Sequence, residues 1–207
     1  MPLWARIIED GFGVISVVIP TDGASRLLVP TLAGLVGGAA AGVVRDVWLV
    51  DSGDAPDVAE IADAAGCGYI AGPREHGARL RMGAAAARAG WILFLEPGGV
   101  LQEGWIRDLR HFTAQAERSG AADRRAATFR LALDGFGVTP RVREAAAVLR
   151  HALTGRPRTG QGLLIHRLFY DALGGHGPEP HAARRLLARV GRKRLVLLRA
   201  QILLPEN

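Results

Sequence analysis

The sequence predicts an α/β fold in which helices cover both faces of a mostly parallel central sheet. Three observations carry that expectation. Through the first hundred residues, short apolar runs alternate with segments of helical spacing, the pattern of strand–helix–strand units. The strand candidates are near-continuous apolar stretches, as strands buried on both faces require. The chain has 207 residues, of which 49% are hydrophobic and 22% charged, so it can bury one core without a disulfide or metal staple.

The elements follow in order. Val14-Ile15-Ser16-Val17-Val18-Ile19-Pro20 is a buried strand ended by Thr21, Asp22 and Gly23. Residues 26–36 carry Leu27, Leu28, Leu32, Leu35 and Val36 at helical spacing, with Ser25 as N-cap and Pro30 about one turn in. The glycines that follow read as a turn. Residues 43–50 form a second strand ended by Asp51-Ser52-Gly53-Asp54. Residues 56–65 read as a helix, 66–71 as a strand and 77–89 as an Ala-rich helix. Residues 91–95 are a buried fourth strand stopped by Glu96-Pro97-Gly98-Gly99. Beyond residue 100 the alternation loosens. Helices are expected at 105–118, 138–153, 167–173 and 182–190, and strands at 126–134, 163–165 and 194–204. No linker or repeat separates the halves, so one domain spanning 1–207 is expected.

Several function classes drop out. Cys67 is the only cysteine, which removes internal disulfides and Cys-rich zinc sites. The longest charge-free stretch, 27–44, contains Pro30 and several glycines and suits a soluble helix better than a membrane span. The N-terminus lacks the basic region and long apolar run of a signal peptide, so a cytoplasmic location is expected. Gly11-Phe12-Gly13-Val14-Ile15-Ser16 precedes the first strand, whereas a dinucleotide fingerprint must follow one. The glycines at 155, 160 and 162 have Gln161-Gly162 where a P-loop needs Lys-Ser/Thr. His176 and His181 flank Glu179 and read as loop residues rather than metal ligands.

Charge divides unevenly. Residues 1–100 carry 7 Arg and 11 acids, net −4; residues 101–207 carry 18 Arg, Lys193 and 9 acids, net +10. Without a nucleic-acid motif or interleaved aromatics, the basic half does not point to nucleic acid. The Arg- and Leu-rich stretch 184–199 admits a peripheral membrane contact beside its reading as an ordinary helix and strand.

In open α/β sheets, ligands bind at the carboxyl ends of the strands. Acids follow three of the four expected strands there: Asp22 beside Thr21, Asp51 beside Ser52, and Glu96 before Gly98. Such a convergence suits a base, a ribose or a metal; individually, each acid suits a helix cap equally well.

These segments, in this order, resemble the family 2 glycosyltransferases of the GT-A (nucleotide-diphospho-sugar transferase) fold. The likeness is nearest to a short bacterial subgroup associated with radical-SAM and selenoprotein-like domains. It rests on Ile15-Ser16-Val17-Val18-Ile19-Pro20-Thr21, on Val50-Asp51-Ser52-Gly53-Asp54, and on Gly83-Ala84-Ala85-Ala86-Ala87-Arg88 with the 91–95 strand. Phe129-Arg130-Leu131 and the segment from Gln161-Gly162-Leu163 to Gly174-Gly175 complete it. The resemblance implies sugar transfer from a UDP- or GDP-linked donor to an acceptor hydroxyl, with 1–100 as the nucleotide-binding half and 101–207 as the acceptor-side half. It implies that Asp51 meets the base, with Thr21, Asp22, Ser52 and Gln161 around the donor.

The chain departs from the family pattern where the chemistry belongs. The metal-binding Asp position is Gly98, leaving Glu96 as the only acid of that motif. The Asp of the loop before Gln161 is Gly160, and the late Glu-Asp pair reads Glu179-Pro180. Mg²⁺ or Mn²⁺ prefers several hard oxygen ligands, so the metal ligand set is incomplete. Within this pattern, Gly98 admits close backbone approach to a phosphate, and Arg79 or Arg81 supplies charge in place of metal. Glu96 and Glu179 are the two catalytic carboxylate candidates. The alternative is a catalytically degenerate scaffold that binds a nucleotide, a glycan or a protein partner.

Overall fold

A computed structural model describes residues 15–23, 25–53, 56–133 and 160–205. In chain order the elements are β1 (Ile15–Thr21), α1 (Ser25–Ala40), β2 (Val44–Asp51), α2 (Pro56–Ala64), β3 (Gly68–Ala71), α3 (His76–Ala86), β4 (Trp91–Phe94) and β5 (Val100–Leu101). Then come α4 (Trp105–Arg118), β6 (Ala126–Leu133), β7 (Leu163–His166), α5 (Arg167–Ala172), α6 (Ala182–Val190), a 3-10 turn (Arg192–Arg194) and β8 (Leu195–Leu204). The strands form one sheet in the order β3-β2-β1-β4-β7-β6-β8-β5. β3, β2, β1 and β4 run parallel, and β7 joins β4 antiparallel. β8 runs parallel to β6, while β6–β7 and β5–β8 are antiparallel. This is the expected α/β architecture, parallel in its first half and mixed in its second.

Side-chain alternation along the strands sorts the core onto two faces. Val17, Ile19 and Leu93 point to the face covered by α1, α2 and α4, where they meet Leu28, Val58 and Leu109. Val18, Val50 and Ile92 point to the other face, under α3, α5 and α6, where they meet Leu80, Phe169 and Leu186. Helices therefore cover both faces, as the near-continuous apolar strands require.

The structure corrects several boundaries. The first helix runs through the glycines expected to form a turn, and Ser25 is its first residue rather than its cap. Those glycines serve packing instead. A Cβ on Gly38 would sit 2.4 Å from the Trp105 ring, and one on Gly34 would sit 3.4 Å from the Leu101 backbone nitrogen. Small residues on that stripe let α1 approach α4 and β5, a two-residue strand too short to announce itself. The Ala-rich helix ends at Ala86 rather than near residue 89 because Ala87 leaves helical geometry (ψ 133°). The Ser16 hydroxyl then accepts the Arg88 and Ala89 N–H groups at 3.0 and 2.9 Å. The third strand begins at Gly68 rather than residue 66. The helix expected at 138–153 lies outside the described residues.

Gly38→Ala is expected to lower stability by about 1–3 kcal/mol, because the new methyl overlaps a buried indole. Gly37→Ala, whose Cβ meets only the Ile106 side chain at 3.7 Å, is expected to raise it by about 0.5–1 kcal/mol. Urea denaturation of the pair measures both signs.

Candidate functional site

Because β1 pairs in parallel with both β2 and β4, the carboxyl ends of three strands lie side by side. In the register, Thr21 is the partner of Asp51. Their side chains meet: Thr21 Oγ1 donates to Asp51 Oδ1 at 2.7 Å, and the Gly53 N–H donates to Asp51 Oδ2 at 2.8 Å. Asp51 is 0% exposed. Its carboxylate thus organises the β2 exit loop from within. Asp22 is exposed and Ser52 half-buried at the rim of the same crevice.

The other expected donor-site residues are tied into the framework. Arg79 is 3% exposed, and its Nη1 donates to the Pro73 and Arg74 carbonyls, bracing the loop between β3 and α3. Arg81 Nε and Nη2 donate to the His176 and Gly174 carbonyls at 2.7 and 2.8 Å. Gln161 Nε2 donates to the Phe129 carbonyl at 3.1 Å, linking β6 to the residues just before β7. Gly98 adopts φ +85°, in the left-handed region that favours glycine. Its N–H meets the Leu27 carbonyl and Thr31 Oγ1, and a Cβ there would lie 2.8 Å from the Pro205 ring. The close approach that Gly98 permits is therefore to the chain's own residue 205.

A small cleft opens past the end of β4. Leu80, Phe94, Leu163, Ala183 and Leu187 line it with Glu96 and His176, and it encloses about 30 Å³. That is room for a water or two, or for one hydroxyl of a larger ligand. Glu96 Oε1 lies 3.1 Å from His76 Nε2, with the two side chains 32% and 41% exposed. Glu179 is exposed on the 176–181 loop, with its carboxylate folded over Gly177. That loop rests on α3, where a Cβ on Gly77 would run into the Gly177 carbonyl. Glu96 thus shares the cleft with His176, while Glu179 stands outside it.

Sequence reasoning missed His176 as a site residue. It is 1% exposed. Its Nδ1 lies 3.0 Å from Tyr170 Oη, which also accepts the His176 backbone N–H at 3.0 Å. Its ring packs edge-on against Phe94. Burial pushes its pKa down to about 3, with His76, Arg189 and Arg81 adding to the effect, so the imidazole is neutral. Burial also pushes the Tyr170 hydroxyl up. The Gly-Gly pair before His176 reads in sequence as a helix stop and as the end of the segment that carries the resemblance, with no sign of a buried imidazole after it. Gly175 also makes room for the Tyr170 ring, 2.8 Å from where its Cβ would stand.

Among the described residues, no three His, Cys, Asp or Glu side chains are arranged to hold a metal ion. Of the arginines in 184–199, Arg189 donates to the Leu173 and Gly175 carbonyls and Arg194 to the Val190 carbonyl. Arg184 and Arg185 are exposed. No described helix is long and apolar enough to cross a membrane.

No family model and no curated protein sequence matches this chain. Solved structures do. A mannosyltransferase from Pyrobaculum calidifontis, in complex with GDP-Man and Mn²⁺, superposes with a TM-score of 0.69 at 14% identity, over 96% of this chain and 61% of that one. Glucosyl-3-phosphoglycerate synthase from Mycobacterium tuberculosis matches at 0.60 and 18% identity, over 100% and 78%. TarS from S. aureus matches at 0.62 and 10% identity, over 93% and 37%. This chain therefore spans less than two thirds of the mannosyltransferase and little over a third of TarS. At these identities the likeness establishes the fold: the GT-A fold of glycosyltransferases.

Two stability outcomes are expected here. Thr21→Val keeps the shape but strips a buried carboxylate oxygen of its donor, costing about 1–3 kcal/mol in urea denaturation, while Thr21→Ser stays near wild type. His176 has a folded pKa below its unfolded value of about 6.5, so its contribution is full above that pH and is lost as pH falls toward 3. Between pH 7 and 4 the wild type should lose on the order of 3 kcal/mol more stability than His176→Gln.

Proposed function

We propose that this chain binds a nucleotide sugar, UDP- or GDP-linked, at the carboxyl ends of β1, β2 and β4, and transfers the sugar to an acceptor hydroxyl. In this reading, residues 1–100 serve the nucleotide and 101–207 the acceptor, within one domain of the family 2 type, nearest to the subgroup named above. The observation that supports it most is the cleft past β4, where a carboxylate and a buried imidazole converge in a fold shared with glycosyltransferases. Donor-side contacts fall to the rim residues Asp22 and Ser52, with Asp51 and Thr21 holding their loop.

The mannosyltransferase structure contains Mn²⁺, but the residues here do not fit such an ion. Glu96 is the only acid of the expected motif, and it is paired with His76. No metal step is therefore derived. In the transfer, the acceptor oxygen bonds to the anomeric carbon as the bond from that carbon to the diphosphate oxygen breaks. The acceptor proton passes to a carboxylate. Glu179 suits this role: it is exposed, and no side-chain hydrogen bond ties it down among the described residues. The nucleoside diphosphate leaves with the bonding electrons.

A second reading, a scaffold that binds without turnover, is favoured by one observation. Asp51, Arg79 and Arg81 are all occupied by internal partners.

Calorimetric titration with UDP, GDP, UDP-glucose and GDP-mannose, each with and without Mn²⁺, tests the proposal. At least one nucleotide sugar is expected to bind, with its affinity changed less than about threefold by Mn²⁺. Glu179→Gln is expected to lower turnover by about 10²–10⁴-fold with binding retained. Absence of binding by folded protein overturns the proposal. Binding without turnover of any acceptor-free hydrolysis or transfer product leaves the scaffold reading. A tenfold gain with Mn²⁺ overturns metal independence.

A further inference from the structure

The His176 ring has one nitrogen with a protein partner and one without. The Tyr170 hydroxyl accepts the His176 backbone N–H and lies 3.0 Å from Nδ1 of the same residue; the tautomer that lets this hydroxyl also donate has its proton directed to Nδ1. Nδ1 is then the bare nitrogen, and Nε2 carries the ring proton. Nε2 has no hydrogen-bond partner among the described residues, although the side chain is 1% exposed and lines the cleft. Nε2 is not one of the fully enclosed unpaired atoms of the described residues, which are Asp46 Oδ1, Trp48 Nε1 and Arg79 Nε; it reaches the cleft, where an entering group that accepts from it satisfies it.

The other polar side chain on that cleft is Glu96, which only accepts when ionised. A phosphate oxygen would satisfy Nε2 but meet Glu96 as a like charge. An ammonium would satisfy Glu96 but meet Nε2–H as a second donor. A hydroxyl does both, accepting with a lone pair and donating its proton. The volume of about 30 Å³ admits one such group and no more. The remaining walls, Leu80, Phe94, Leu163 and Leu187, are apolar and would strengthen both bonds by excluding water.

We propose that this cleft is a recognition subsite for a single hydroxyl of the ligand's sugar, which accepts from His176 Nε2–H and donates to Glu96. Tyr170 is a positioning residue that fixes the His176 tautomer, and His76 orients Glu96 from the open side. The proposal rests on the nucleotide-sugar reading for the identity of the ligand, but not for the chemistry of the subsite. It assigns Glu96 to binding rather than proton transfer.

The test compares each nucleotide sugar with its parent diphosphate. In calorimetry, His176→Phe keeps the packing ring and removes the donor. It is expected to weaken UDP-glucose or GDP-mannose by about tenfold and leave UDP and GDP within about twofold. His176→Gln, whose amide nitrogen replaces Nε2, is expected to restore most of the loss. Equal effects on sugar and diphosphate, or no effect on either, overturn the subsite. Nitrogen-15 NMR of the wild-type histidines provides a second measurement that needs no variant to fold. The His176 ring should show protonated Nε2, a resonance that moves with the nucleotide sugar and not with the diphosphate. Protonation at Nδ1 instead overturns the proposal. Should no nucleotide bind, the nucleotide-sugar reading falls. The same spectra with free glucose, mannose and galactose then decide the subsite, which stands if His176 Nε2 responds and falls if it does not.

Discussion

β1 is buried along its whole length, so every polar group on it must be paired inside the protein. Two of its side chains are polar, and they sit near its opposite ends. Ser16 accepts two backbone N–H groups from the residues leading into β4. Thr21 donates to the carboxylate that closes β2. The strand therefore fastens a loop at each end through obligations created by its own burial. Each bond contributes only about a kilocalorie or so net, but removing either partner leaves a buried group unpaired, which costs more. This asymmetry explains why Asp51 is wholly enclosed. A carboxylate that meets two donors at the carboxyl end of an interior strand fixes where β2 ends, and with it the rim on which Asp22 and Ser52 stand.

The arginine excess of the second half has a structural destination too. Helices end with carbonyls that have no intrahelical donor, and cations near those ends are favoured. Arg110 donates to the Ala41 carbonyl just beyond α1. Arg167 donates to the Ala84 and Ala87 carbonyls at the end of α3. Arg189, joined by Arg81 from the first half, serves the carbonyls after α5, and Arg194 serves those at the end of α6. A guanidinium has a rigid fork of donors, so one side chain closes two carbonyls at once. Four arginines of the second half, Arg110, Arg167, Arg189 and Arg194, are thus committed to helix ends, while others such as Arg184 and Arg185 stay exposed.

The fold was legible because its signals are local and repeated. Apolar runs such as Ile15 to Ile19 and Trp91 to Leu95 mark strands whatever surrounds them, and their alternation with helical segments implies the parallel half of the sheet. The glycines of α1 were misread because glycine signals a turn locally, whereas Gly38 answers to Trp105, distant in sequence. The site was less legible for the same reason. Thr21 and Asp51 were named as ligand-facing residues, but only the register shows that they face one another. Gly98 suits a close backbone approach in sequence, and the residue that a Cβ there would meet is Pro205. Nothing near His176 in sequence distinguishes a buried imidazole from a loop histidine, because its environment is assembled from β4, α3, α5 and α6.

Under the proposed transfer, the charge pattern at the cleft bears on the departure of a diphosphate without a divalent ion. Glu96 alone would oppose a second negative group nearby. His76 Nε2 lies 3.1 Å from it, and the pair is open enough to solvent that its own attraction contributes about 1 kcal/mol or less. A weak pair is easily redirected. In the proposed subsite, a sugar hydroxyl takes up Glu96 lone pairs that His76 does not use. His176 cannot share this duty, since its burial keeps it neutral and leaves it only a hydrogen bond to give. The two histidines therefore differ by exposure: the open one pairs with a carboxylate at the surface, and the enclosed one is left with a hydrogen bond to give.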